Sequence, residues 1–405
     1  MNTSPSAAPS IPTPTLPRYP LERAGHLHPA PSLLGLPPVS PLRFAGGAEG
    51  LLVTGFEAAR AVLSNPLLSA ERWRGDDPVR PVPRRVRERR GLGPGAFLAT
   101  DDPEHARYRT LLTGQFTVRR MRALQPRVEQ VVEHCLDGLE AAGRPADLVA
   151  HFALPVPSLI ICELLGVPYT ERDRFQRASG TLLRQDLSAE SFDAAVDAID
   201  AFLGEMIAAK RRSPDDDLVS LLIASGQVTD EEICGMCRLL LVAGHETTMN
   251  MLSLGTFALL NDPEQLARLR ADDDLVPFAV EELLRYLAIV NAFPVRTALE
   301  DTEIAGVPVP AGTSVAVSVP AANRDPALVE DPDRLDVGRR RSSHLAFGYG
   351  IHQCLGQHLA RIELAAGYRG LLRRFPALRL AVPADAVPLR SDMVIYGAHE
   401  LPVTW

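Results

Sequence analysis

A mainly helical protein with a minor β region is predicted by three features of this 405-residue sequence. Apolar residues recur with helical periodicity from about residue 104 to residue 285. Within that stretch Thr229-Asp230-Glu231-Glu232 forms a capping box, and no proline follows until Pro263, so one helix of roughly thirty residues is expected. After residue 300 the period changes to that of short strands.

Residues 1 to 41 are rich in proline, including Pro37, Pro38 and Pro41, and predict an extended arm outside the core. With no internal repeat and no linker, residues 42–405 are expected to form a single domain. A strand is predicted at Leu51–Thr54 and a helix at Phe56–Ser64. The segment 71–90 carries Arg72, Arg74, Arg80, Arg84, Arg85, Arg87, Arg89 and Arg90 among prolines. It fits either a solvated loop or a lid with a cationic entrance. The long helix has Asp230 and Glu231 at its positive end, and a helix of that length usually crosses the whole molecule. Glu303–Val309 and Thr313–Val319, joined around Pro310-Ala311-Gly312, predict a hairpin. An irregular stretch, Asn323–Phe347, precedes a helix over Leu355–Phe375 and a tail of short strands and turns over Leu378–Trp405.

Composition narrows the function. The net charge of -8 argues against general nucleic-acid binding, and 46% hydrophobic residues exclude disorder throughout. Five scattered cysteines make no disulfide framework and suit a reducing compartment. The N-terminus lacks the basic and apolar regions of a signal peptide, and Glu163 and Arg238 interrupt the longest apolar runs. A cytoplasmic protein that binds neither nucleic acid nor membrane is expected. Lys210 is the single lysine among 42 basic residues, which reflects codon bias.

Several short motifs carry no chemistry. Cys234 and Cys237 have redox-pair spacing but fall inside the long helix, where two core thiols are expected. His245-Glu246 lacks the second histidine of a zinc site, because Met249 occupies that position. Gly348 and Gly350 have no third glycine and no preceding strand, so no dinucleotide fingerprint forms.

One segment does: Phe347-Gly348-Tyr349-Gly350-Ile351-His352-Gln353-Cys354-Leu355-Gly356, which places a cysteine just before a helix. A helix N-terminus lowers a thiol's pKa and directs N–H groups at the sulfur. Gly350 permits a turn with positive φ, Gly356 lets a flat ligand approach the backbone, and Phe347 shields the sulfur. A single thiolate on an iron porphyrin is one way such a cysteine is used.

This segment resembles the haem-binding signature of the cytochrome P450 family. Three further motifs follow the family's order: Ala243-Gly244-His245-Glu246-Thr247-Thr248, Glu282 with Arg285, and Pro332-Asp-Arg334-Leu335. Asp102-Pro103-Glu104-His105 with Arg109 is similar to the start of the haem-facing helix in bacterial members. The closing run Tyr396–Trp405 is similar to actinobacterial members that tailor secondary metabolites. The resemblance spans about residue 45 to the C-terminus and implies a triangular helical fold built around the long central helix.

It also implies roles. Cys354 becomes the axial ligand of haem b; Cys135, Cys162, Cys234 and Cys237 remain buried thiols. Ala243, Gly244, Phe347, Gly350 and Gly356 line the haem, and His105, Arg109, Arg296 and His352 meet its propionates. Glu246 and Thr247 form an acid–alcohol pair that brings protons to dioxygen, with Thr247 bonding back to a carbonyl and loosening the helix beside Gly244. Glu282, Arg285 and Arg334 form a buried structural network. Leu240, Ala243, Val290, Asn291, Phe293 and Ile395 line the substrate pocket, with the 70–98 loop and the region around Phe175–Leu187.

No flavin or nicotinamide fingerprint is present, so electrons come from outside, from a 2Fe-2S or similar ferredoxin and an NAD(P)H-dependent reductase. Arg119, Arg120, Arg122, Arg127 and Arg339–Arg341 offer such a partner a basic patch, or are simply solvated. The expected reaction is hydroxylation or epoxidation of a small hydrophobic natural product by a monomeric enzyme. Oxidative coupling, nitration and desaturation remain open on the same scaffold, Glu246 with Thr247 argues against a dedicated peroxide user, and a non-catalytic haem protein is the remote alternative.

Overall fold

The computed structural model describes residues 23–405 apart from 24, 45, 77–92, 169–170, 291–293 and 341–342. Side chains of 172–175, 177 and 189 are likewise outside the description. The chain opens with strands β1 (Val39–Arg43) and β2 (Glu49–Val53), paired antiparallel with Val39 opposite Val53. Val39, Ser40 and Pro41 thus belong to a strand, and Ala30 and Leu33 are buried, so the folded part begins before residue 42. Pro41 is tolerated because β1 is an edge strand. Helix α1 (Phe56–Ser64) and strand β3 (Leu68–Ser69) follow.

The helical part comprises α2 (Glu104–Thr113), α3 (Val118–Ala141), α4 (Pro155–Leu165), α5 (Arg172–Leu182), α6 (Ala189–Arg212), α7 (Leu218–Ser225), α8 (Asp230–Leu260), α9 (Pro263–Ala271) and α10 (Val276–Leu287). Strand β4 (Ala146–Asp147) lies between α3 and α4. The start of α8 is as its sequence predicts. Glu232 N–H donates to Thr229 Oγ1 at 3.2 Å, and Thr229 N–H donates to Glu232 Oε2 at 2.8 Å. Arg107 and Tyr108 of α2 also reach Glu232 Oε1, so the cap doubles as a tie between two site-bearing helices.

Helix α8 is buried along almost its whole length and packs on α4, α6 and α12 (Gln357–Arg374). The crossing with α12 is close. A Cβ on Gly367 would stand 2.6 Å from Leu252, and one on Gly255 would collide with Tyr368 Oη. Tyr368 donates to the Met251 carbonyl at 2.5 Å.

The β region departs from prediction at one turn. β5 is Val295–Ala298, and β6 (Thr302–Ile304) pairs with β7 (Val307–Val309) through a two-residue turn at Ala305-Gly306. Both turn residues have positive φ, 49° and 80°, the geometry that matches strand twist in a short hairpin. Strand β8 (Ser314–Val317) instead joins the larger sheet, parallel to β2 and antiparallel to β5, in the order β1-β2-β8-β5-β3. Pro310-Ala311-Gly312 therefore carries the chain between sheets. After the short helix α11 (Val319–Ala322), the tail strands β9 (Arg379–Leu380) and β10 (Pro402–Thr404) form a small sheet with β4. Among the described residues no helix is long and apolar enough to cross a membrane.

Candidate active site

The loop before α12 is built around backbone turns. Gly348 and Gly350 have φ of 70° and 75°. A Cβ on Gly350 would stand 2.6 Å from the Leu63 carbonyl of α1, so position 350 requires glycine for two reasons. Cys354 N–H donates to the Phe347 carbonyl at 2.8 Å, which folds the loop back on itself. The helix begins at Gln357 with Gly356 as its N-cap, two residues later than predicted, so Cys354 sits just outside the first turn. The backbone N–H groups of Gly356 and Gln357 still reach its sulfur.

Burial pushes the Cys354 thiol up, and those N–H groups with Arg109 and Arg361 oppose this without reversing it. The sequence-based expectation of a lowered thiol pKa therefore fails, because desolvation exceeds the helix-end effect. A bound metal ion deprotonates a coordinating thiol outright. Arg361 stacks 4.5 Å from the Phe347 ring centre, and a Cβ on Gly356 would meet nothing within 4 Å. Cys135, Cys162 and Cys237 are buried. Burial raises Cys234 to about 12.

Four polar residues gather beside this loop. His105 and His352 lie ring to ring at 4.3 Å. His105 Nδ1 meets Asp102 Oδ1 at 3.2 Å, whereas its Nε2 and both ring nitrogens of His352 are buried without a hydrogen-bond partner among the described residues. Burial, with Arg296 and His105 nearby, lowers His352 to about 3, so this ring is neutral at physiological pH. Arg109 Nη2 donates to the Gln353 carbonyl at 2.6 Å. Arg296 is buried in β5, and burial lowers it only to about 10, so it stays a cation. Unpartnered buried nitrogens beside two guanidinium groups fit a ligand carrying carboxylates.

Helix α8 supplies the other wall. Ala243 is exposed and Thr247 half-exposed, although the helix is otherwise buried around them. Thr247 Oγ1 donates to the Ala243 carbonyl at 2.7 Å, the predicted back-bond, yet the helix runs unbroken from 230 to 260. Gly244 acts as a contact residue, since a Cβ there would press on Ile161 at 3.0 Å. Glu246 is buried. Its Oε2 accepts from Arg390 Nη1 at 3.0 Å, and its Oε1 lies 3.5 Å from His245 Nε2. Burial alone would raise its carboxyl; His245 and Arg390 outweigh that and hold it below the ordinary value. Two residues after Glu246, Thr248 bonds to Glu363, a fully buried acid of α12 that desolvation pushes up to about 8.

The charged network beneath the loop corrects one assignment. Glu282 and Arg285 are fully buried and bonded twice, at 2.8 Å each. The third cation is Arg339, whose Nε donates to Glu282 Oε1 at 3.1 Å and whose side chain is 14% exposed. Arg334 is 61% exposed, with Glu264 at 3.8 Å, and contributes only its carbonyl, which accepts from Arg285 at 3.4 Å. Leu335 next to it is buried. Arg339 is thereby withdrawn from the predicted basic patch. Arg127 pairs with Glu163, Arg340 lies over the Phe278 ring, and Arg341 is outside the described residues.

A neighbouring pair braces the same loop. Glu281 of α10 accepts from His344 at 3.1 Å and from Arg361 at 2.6 and 3.0 Å. Burial opposes its ionisation, but these two donors hold its carboxyl at about 2, against an ordinary value near 4.5. A depressed carboxyl contributes stability above its unfolded pKa and loses it as pH falls through the folded one. The Glu281→Gln protein is therefore expected to show a shallower loss of stability between about pH 4.5 and 2 in acid-unfolding curves.

Of the substrate-facing candidates, Leu240 is buried on α8, and Val290 pairs with Ile395 of the tail in an isolated bridge. Asn291, Phe293 and most of the arginine-rich loop lie outside the described residues. Arg390, Asn250, Glu363 and Arg339 were not anticipated in these places. Asn250 alone had a local signal, standing one helical turn after Glu246.

A thiol in a glycine-shaped loop, cations beside unpartnered ring nitrogens, and a half-exposed threonine following a buried glutamate on a long helix point to the haem-thiolate class of oxygenases. The chain belongs to the cytochrome P450 family: the family's sequence profile matches residues 59–389. Cytochrome P450 105C1 of a Streptomyces species is 50% identical over 369 residues, covering 91% of this chain and 92% of that protein. Pentalenic acid synthase of Streptomyces avermitilis is 46% identical over 373 residues, 91% of each. The crystal structure of CYP105P1 in complex with filipin I superposes with a TM-score of 0.91 at 42% identity, covering 96% of this chain and 99% of that one. The protein is thus a P450 monooxygenase, and membership implies haem, a small-molecule substrate and electrons from a redox partner.

Proposed function

We propose that this P450 inserts one atom of dioxygen into a hydrophobic natural product, by hydroxylation or epoxidation, as a tailoring step of secondary metabolism in the cytoplasm. Pentalenic acid synthase, 46% identical, supports a biosynthetic role by its name. Cys354 would hold haem b through its thiolate, and the haem would supply oxygen activation. His105, Arg109, Arg296 and His352 would bind the propionates, the neutral His352 ring having an N–H to offer. Arg119, Arg120 and Arg122 form the cationic surface for an acidic ferredoxin, itself reduced by an NAD(P)H-dependent reductase.

The observation that carries the reading is the half-exposed hydroxyl of Thr247 beside the buried Glu246 carboxylate. The Thr247 hydroxyl proton is held on the Ala243 carbonyl, so its oxygen is left to accept. Glu246, kept anionic, takes a proton from solvent and passes it toward Thr247. A dedicated peroxide user has no need of this pair.

Thr247→Ala is expected to leave the haem spectrum intact and to divert most reducing equivalents to hydrogen peroxide. The check is product formed per reductant consumed, with a ligand chosen by the low-to-high-spin Soret shift. Unchanged coupling removes Thr247 from the mechanism.

A further inference from the structure

Arg390 belongs to none of the motifs that mark the family, yet it makes the closest charged contact to the relay acid. Its Nη1 donates to Glu246 Oε2 at 3.0 Å and to Asn250 Oδ1 at 3.2 Å. Asn250 in turn donates through Nδ2 to the Glu246 carbonyl at 2.7 Å, so Arg390 and Asn250 grip the same residue from two sides. All three are buried. The approach of tail to helix is close enough that a Cβ on Gly397 would collide with Asn250 Oδ1.

The other carboxylate oxygen faces α5 and its own helix. His245 Nε2 stands 3.5 Å from Oε1, and a Cβ on Gly180 would stand 3.7 Å from it. The His245 ring is anchored at both ends, by the Leu241 carbonyl at 2.7 Å and Ser179 Oγ at 3.1 Å. Among the described residues, the charged or titratable groups facing the carboxylate are Arg390 from the tail and His245 from α8; α5 brings the uncharged Ser179 and Gly180.

Arg390 also begins the hairpin that carries Ile395, one of the residues expected to face substrate. Its N–H donates to the Gly397 carbonyl at 2.9 Å, closing that hairpin. Val394 N–H donates to the Leu183 carbonyl at the end of α5 at 2.8 Å, and Tyr396 N–H to the Ile289 carbonyl after α10 at 2.7 Å. One hairpin thus holds a substrate-facing side chain and the cation on the relay acid.

We propose that Arg390, with Asn250, is a positioning residue for Glu246: it fixes the carboxylate as an anion in one orientation and ties that orientation to the hairpin that walls the substrate pocket. This rests on the reading of Glu246 as the proton-relay acid. A salt-bridged carboxylate in a buried site changes protonation when its cation is removed, and that change is directly visible.

The test compares the holoenzyme with Arg390→Gln, Glu246→Gln and the double variant Arg390→Met/Glu246→Gln. The last removes both charges together and so avoids a buried unpaired ion. Infrared difference spectra at neutral pH are expected to show a protonated carboxyl band in Arg390→Gln that Glu246→Gln lacks. The fraction of NADPH electrons recovered as hydrogen peroxide is read in substrate-free turnover with spinach ferredoxin and its reductase. It is expected to shift in Arg390→Gln to the Glu246→Gln value, with the competing yield of water falling roughly tenfold. The double variant should match Glu246→Gln. An unaltered carboxylate band in Arg390→Gln overturns the inference, as does a double variant worse than Glu246→Gln. If Arg390→Gln does not fold, the comparison of the double variant with Glu246→Gln decides. A Glu246→Gln protein that partitions electrons like the parent overturns the relay reading itself.

Discussion

Cys354→Ser is expected to abolish the strongly red-shifted Soret band of the dithionite-reduced, carbon-monoxide-bound protein. The expectation follows from the loop and from the other four cysteines. Cys354 is the thiol whose sulfur two helix-start N–H groups reach and whose charge two guanidinium groups, Arg109 and Arg361, favour through space. Cys135, Cys162 and Cys237 are packed in the core, and Cys234 faces Asp200, where a thiolate is disfavoured. A serine oxygen retains the loop's shape, since the fold-back bond from residue 354 to the Phe347 carbonyl is made by the backbone. The loss is then one of electronic character rather than of folding. The thiolate's electron donation disappears, and with it the spectrum and the oxygen activation. A variant with the parent's spectrum would mean that another cysteine is the ligand.

Arg285→Ala is expected to have the largest effect on stability, in the range of about 3–5 kcal/mol for one partner of a buried pair. Arg285 uses its whole guanidinium: two bonds to Glu282, then the carbonyls of Asn323 at 3.0 Å, Pro332 at 2.8 Å and Arg334 at 3.4 Å. Glu282 also accepts from Asp336 N–H and from Arg339, so removing Arg285 leaves a buried carboxylate with its main counter-charge gone. The damage reaches the site through Asn323, whose Oδ1 accepts from Leu345 N–H at 2.7 Å, at the entrance to the cysteine loop. Haem loss is expected to accompany unfolding, measured by denaturant titration with Soret absorbance as a second probe. The control is Arg334→Ala. On the sequence reading it belongs to the same network; in the structure it is an exposed side chain, and its removal should change stability by no more than about 0.5 kcal/mol. Arg339→Ala should fall between them, because its bond to Glu282 is single and its partner keeps Arg285.

Local requirements were legible in the sequence, with one exception. A capping box states where a helix starts because both hydrogen bonds lie within four residues, and α8 began where Thr229 predicts. A cysteine among glycines at fixed spacing announces a thiol held in a turn before a helix, and positive φ at Gly350 is a property of that residue type. His105 and Arg109, four apart, were bound to share a helix. The hairpin turn was the local failure: Pro310-Gly312 drew attention, but Ala305-Gly306 had the length and backbone that a tight turn needs.

What only the tertiary structure decided concerns charge. Whether Arg334 or Arg339 completes the buried network depends on which of them the loop carries within reach of Glu282. Whether the Cys354 thiol is raised or lowered depends on a desolvation that no spacing records. That Arg390 neutralises Glu246 across 144 residues depends on the tail folding back against α8 at Gly397. Periodicity and motifs are one-dimensional and report the residue's own backbone. The energy of a buried charge is set by whatever surrounds it in space, and long-range neighbours leave no mark on the residues between.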